Sequence, residues 1–157
     1  MTTAQQLQGR FGGIAQGMDL SAAWDGQALT GRIGGYTDGL DIRIGAGAGG
    51  IAGRVGGYTS GFDLTASVAG TALQARLGGY TDGTDLQLTF APDGATGRYG
   101  GVVDGHDIRF QVYAGEMRGR IGGITEGYDV RMDLGAVPFP LAALMAVCAF
   151  KVWQERA

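Results

Sequence analysis

Arginine recurs at positions 10, 32, 54, 76, 98 and 120, a spacing of 22 residues held without a slip. A glycine pair follows two residues later each time, from Gly12-Gly13 to Gly122-Gly123. A further glycine stands at 17, 39, 61, 83, 105 and 127, and an aspartate at 19, 41, 63, 85, 107 and 129. The unit reads Gly-Arg-h-Gly-Gly-x-x-x-Gly-x-Asp-h, where h is apolar and Ala75 replaces the first glycine once. Six copies fill residues 7–135, with a short lead-in at 1–6 and an apolar tail at 136–157. A strict period restricts the chain to repeated supersecondary units that stack or pair with their neighbours.

Within a unit the apolar residues alternate. Leu29 and Ile33 flank Thr30 and Arg32, and Leu40, Ile42 and Ile44 alternate with Asp41 and Arg43. Period two marks strands with one buried face. X-Gly dipeptides such as Asp38-Gly39, Asp82-Gly83 and Asp104-Gly105 separate the strands, because glycine accepts the positive φ of a tight turn. Looser turns such as Asp25-Gly26, Ala69-Gly70 and Pro92-Asp93-Gly94 close the other end. Two strands per unit predict an all-β chain of about twelve short strands.

An antiparallel up-and-down meander and a parallel β-solenoid both accommodate such a unit. A solenoid would stack like charges on one another, which is destabilising. In the meander, a two-residue turn at Asp25-Gly26 sets Asp19 opposite Arg32. Later copies would pair Asp41 with Arg54, Asp63 with Arg76, Asp85 with Arg98 and Asp107 with Arg120. The same reading faces Ala22 with Leu29 and Ile33 with Ile44. The meander is therefore the expectation, with these residues as a structural salt-bridge ladder.

An open meander exposes two edges that invite aggregation, and closure as a barrel removes them. Twelve strands enclose more space than their own side chains fill. The inward face also carries many glycines, Gly31, Gly53 and Gly97 among them, so parts of the wall would be thin. Residues 140–153 are apolar around the whole circumference of a helix and would span a barrel of this height. They could fill the barrel, enter a membrane or dock another subunit.

Glycine supplies 32 of 157 residues, yet 45% of the chain is apolar, enough for a core. A net charge of −3 argues against a general nucleic-acid binder. One cysteine, Cys148, and one histidine, His106, leave no disulfide framework or cysteine-rich zinc site. No nucleophile–base arrangement or phosphate loop stands out, so the chain reads as a non-catalytic structural or assembly protein without cofactor or metal. The Gly/Asp string only faintly resembles calcium-binding nonapeptides, its spacing differing by two residues. His106 shares its place in the repeat with Met18, Leu40, Phe62, Thr84 and Tyr128 and reads as a space-filling residue.

Two other function classes stay open. The string Gly-Gly-Tyr-Thr places Tyr36, Thr37, Tyr58, Thr59, Tyr80 and Thr81 at repeated turns, as a multivalent carbohydrate-binding module would. The apolar tail could instead anchor a membrane-bound or pore-forming protein through 136–153. No signal peptide is visible, so the expected location is cytoplasmic, or membrane-associated through the tail. The expected partner is a second copy or another protein.

Overall fold

The computed structural model describes residues 6–12, 17–34, 39–47, 50–57, 61–78, 83–101, 105–122 and 127–156. Its twelve strands are β1 (Gln6–Gly12), β2 (Gly17–Trp24), β3 (Ala28–Ile33), β4 (Leu40–Gly47), β5 (Gly50–Gly56), β6 (Gly61–Ala69), β7 (Ala72–Leu77), β8 (Thr84–Ala91), β9 (Gly94–Tyr99), β10 (His106–Tyr113), β11 (Glu116–Ile121) and β12 (Tyr128–Asp133). One helix, α1 (Phe139–Arg156), follows. Each strand pairs antiparallel with the next, and β1 pairs with β12, Phe11 opposite Val130 and Gln8 opposite Asp133. The meander closes as a barrel, the remedy for free edges that the repeat implied.

The alternating apolar residues point inward. Ile33, Ile44, Val55, Leu64, Leu77 and Leu88 are all buried, and the aspartates between them face out. Helix α1 occupies the lumen. From Leu141 to Phe150 no residue is more than 3% exposed, so every side of the helix is covered. Its rings reach around the wall: Phe139 meets Phe90 of β8, and Phe150 meets Phe11 of β1, Tyr99 of β9 and Tyr128 of β12. Two N–H groups of its first turn, those of Leu141 and Ala142, donate to the Pro138 carbonyl at 3.0 Å. Pro140 has no N–H to leave orphaned there. The segment that could have entered a membrane or docked a subunit is enclosed by its own barrel. No described helix is long and apolar enough to cross a membrane.

The strand register differs from the sequence expectation by an even number of residues, two across β2–β3 and four across β3–β4. Across β2–β3, Leu20 faces Ile33, Ser21 faces Arg32 and Ala22 faces Gly31. Leu29 faces Trp24 instead of Ala22 across β2–β3, and across β3–β4 Ile33 faces Leu40 instead of Ile44, which lies opposite Leu29. Turn chemistry is the cause. Asp25 Oδ1 accepts the N–H groups of Gln27 and Ala28, both at 2.8 Å, making Asp25 a corner and Gly26-Gln27 the turn. Gly26 takes φ +99° at the first turn position. The equivalent turns lie at Gly70-Thr71, one residue later than the expected Ala69-Gly70, at Pro92-Asp93, within the expected Pro92-Asp93-Gly94, and at Ala114-Gly115. An even slip leaves every side chain on its original face, so the core is unchanged while the partners differ.

The inward glycines have a sharper role than thinning the wall. A Cβ on Gly31 would overlap the Ser21 carbonyl oxygen, and one on Gly97 the Gln87 carbonyl oxygen. Gly9, Gly53 and Gly119 are crowded in the same way by Arg131, Arg43 and Arg109. One strand presses onto its neighbour's backbone just before five of the six repeated arginines. Such glycine kinks are how sheets coil into barrels.

Candidate functional site

The repeated arginine and aspartate meet on the outer wall, across the glycine-rich hairpin of their own unit. Arg10 faces Asp19, Arg32 Asp41, Arg54 Asp63, Arg76 Asp85, Arg98 Asp107 and Arg120 Asp129. Each arginine Nη1 lies 2.5–2.8 Å from the aspartate Oδ1. The expected pairing of Asp19 with Arg32 and its later equivalents is therefore corrected. The two-residue slip puts Ser21 opposite Arg32, and each aspartate pairs with the arginine nine positions before it.

The rungs of Arg32, Arg54 and Arg98 do more than pair two charges. Arg54 also donates through Nε and Nη2 to the Gly57 carbonyl at 3.1 and 2.8 Å, and Arg98 Nε donates to Gly101 at 3.0 Å. Arg32 Nη2 reaches the Gly39 carbonyl at 3.2 Å. The guanidinium thus clips its hairpin from within. The aspartate main chain joins units: Asp19, Asp63, Asp85 and Asp107 accept through their carbonyls from Gly34, Gly78, Gly100 and Gly122 at 2.7–2.8 Å. These four glycines all hold φ above +100°, which an L side chain resists. The 22-residue motif is consequently a hairpin clip and an inter-unit stitch combined.

On the other flank some rungs face like charges: Arg43 lies opposite Arg54, Arg109 opposite Arg120 and Arg131 opposite Arg10. Arg118 also faces Arg131. Glu116 relieves this last contact, accepting from Arg131 Nε at 2.7 Å and Arg118 Nε at 3.0 Å. The hydrogen bonds from Arg131 and then Arg118 hold its carboxyl below the usual range. A depressed pKa contributes stability above the unfolded value and loses it as pH falls through the folded one. Glu116→Gln should lower the thermal midpoint at neutral pH but not in strong acid, read from melts across a pH series.

The ladder carboxylates are 72–81% exposed, so each rung sets register more than it adds stability. Exposed pairs contribute about 0–1 kcal/mol. Asp63→Asn should lie within that range in a denaturant titration. A loss well above it would assign the rung a larger share.

Inside the barrel, Cys148 is fully buried, and desolvation pushes its thiol far above the ordinary range despite Lys151 nearby. Lys151 is itself buried, with its Nζ 5.1 Å from the Phe62 ring centroid. Cys148 should resist an aromatic disulfide reagent in the native protein and react fully in denaturant. Prompt native reaction would mean that the helix leaves the lumen.

Tyr36, Thr37, Tyr58, Thr59, Tyr80 and Thr81, the candidate sugar-binding turns, lie outside the described residues. Among the described residues no group of three His, Cys, Asp or Glu side chains gathers in one place. Sequence reasoning missed Glu116, although its place in the repeat otherwise holds Gln6, Ala28, Gly50, Ala72 and Gly94. That departure was a visible signal. It also missed Gln154, which bonds His106 from the end of α1. No protein-family model matches the chain, and neither does any curated protein or solved structure.

Proposed function

We propose that the chain is a non-catalytic structural protein, a plugged barrel whose wall offers a rigid surface to another protein or to a second copy. One observation carries this reading: the outward chemistry is spread as six near-identical Arg–Asp rungs around a closed circumference. Chemistry divided evenly among six units suits a repeated contact surface. A catalytic centre instead gathers unlike groups at one place. Closure also satisfies every strand edge, so partners would meet side chains and not add strands.

Contacts made by exposed charge pairs weaken with salt. Light scattering coupled to size exclusion, run across ionic strength, tests this for self-association. The expected outcome is an assembly that dissociates as salt rises. The paired swap Arg54→Asp with Asp63→Arg should shift the assembly equilibrium while preserving the melt. A hydrolytic or transfer activity abolished by a single substitution would overturn the proposal.

A further inference from the structure

In a six-fold repeat, a local departure from the pattern stands out against five copies of its own background. Two lumen-facing positions line the mouth at which α1 ends. One holds Met18, Leu40, Phe62, Thr84, His106 and Tyr128, and the other Phe11, Ile33, Val55, Leu77, Tyr99 and Ile121. Thr84, Tyr99 and His106 are polar where most copies are purely apolar. The register brings them together. Tyr99 faces His106 across β9–β10 and Leu86 across β8–β9, while Thr84 opens β8. Tyr128, the remaining polar-tipped residue, lies apart, with its ring stacked on Phe11.

A cavity of about 370 Å³ opens there, lined by Thr84, Tyr99, His106 and Gln154 together with the Arg76–Asp85 rung. Gln154 Nε2 lies 3.3 Å from His106 Nε2, within hydrogen-bond distance. Phe150 fixes the floor by meeting His106 edge to face at 4.8 Å and Tyr99 at 5.9 Å. The volume falls in the lower part of the range for small-molecule sites, about 300–1,000 Å³.

We propose that this mouth is a binding pocket for a small neutral polyol, about the size of one monosaccharide. The lining selects for that chemistry. Imidazole, phenol, hydroxyl and amide groups all form directional hydrogen bonds. Among the described lining residues the charged ones, Arg76 and Asp85, compensate each other at 2.7 Å. An ion would meet no net opposite charge from these residues, and an apolar guest would strip water from the half-buried Thr84 and His106 and the exposed Gln154 at a cost. A polyol answers donors and acceptors alike, and its C–H face can lie on the aromatic rings. The site stands independently of the structural role of the wall.

His106 is the sole histidine, so its ring gives one unambiguous set of imidazole signals in a nitrogen–proton spectrum. Titration with D-glucose and with myo-inositol should move those signals saturably, with a Kd of about 1 mM for at least one of them, or about −4 kcal/mol. His106→Leu and Thr84→Leu restore the residue type of Leu40 and should keep the fold, checked by circular dichroism. Each should weaken binding at least about tenfold by calorimetry. Tyr99→Phe removes one hydroxyl and keeps the ring, providing a third variant should either leucine fail to fold. Tyr113→Ala, at the opposite end of β10, should leave binding unchanged. No saturable shift with either polyol would overturn the proposal. So would acetate or phosphate binding in their place, or wild-type affinity in the folded mouth variants.

Discussion

Truncation after Gly135 should give an insoluble or unfolded chain. Six large apolar side chains of α1, Leu141, Leu144, Met145, Val147, Phe150 and Val152, are at most 3% exposed. Burial of each contributes about 1.5–3 kcal/mol, or about 9–18 kcal/mol together. That matches or exceeds the whole stability of an ordinary domain, about 5–15 kcal/mol. The wall loses as much again, because Ile33, Ile44, Val55, Leu64, Leu77 and Leu88 would line a void. Yield and circular dichroism in buffer without detergent decide the point. A soluble fragment with a native β spectrum would show that the barrel stands unaided and that the helix is not its core.

The second large effect is expected from a single methine carbon. Gly97→Val places a Cβ onto the Gln87 carbonyl oxygen and within 2.8 Å of Leu88 Cα, both backbone atoms that cannot rotate aside. Relief requires β8 and β9 to separate at this contact. Overpacking against fixed atoms costs about 3 kcal/mol, equivalent to a fall of about 6–12 °C in a chain of this length. Gly47→Ala is the control: nothing lies within 4 Å of its added Cβ, and its φ is not left-handed. It should stay within about 0.5 kcal/mol of the parent. Ala75 occupies the equivalent position in β7, buried at 8% exposure, so one unit does accommodate a methyl group there. Equal melts for Gly97→Val and Gly47→Ala would dismiss the kink as a determinant of closure.

The same local chemistry explains why the two-residue slip could not be foreseen. Asp25-Gly26 looks like the centre of a turn because glycine supplies positive φ. The Asp25 carboxylate instead accepts from Gln27 and Ala28, moving the centre to Gly26-Gln27. Two registers that differ by an even number bury the same residues, so hydrophobic alternation cannot separate them. The ladder residues were readable as a set, whereas their partners were not. His106 looked like filler because its place in the repeat tolerates six different residues. Its setting emerges only when Gln154, 48 positions away, returns along the helix axis.

The sequence by itself determined what depends on near neighbours. Period two chose the strands and their inward faces, the 22-residue period set the number of hairpins, and unbroken apolarity marked α1 as a helix without a solvent face. Tertiary structure alone decided what depends on distant atoms. The seam sets Phe11 opposite Val130, and the side-chain hydrogen bonds of Asp25 select the register of its hairpin. The empty lumen draws α1 inward, and the rungs form within units instead of between them. The physical reason is range. A residue's face is fixed by the one or two residues beside it, but its partner is fixed by which competing geometry satisfies the most buried surface and backbone hydrogen bonds at once.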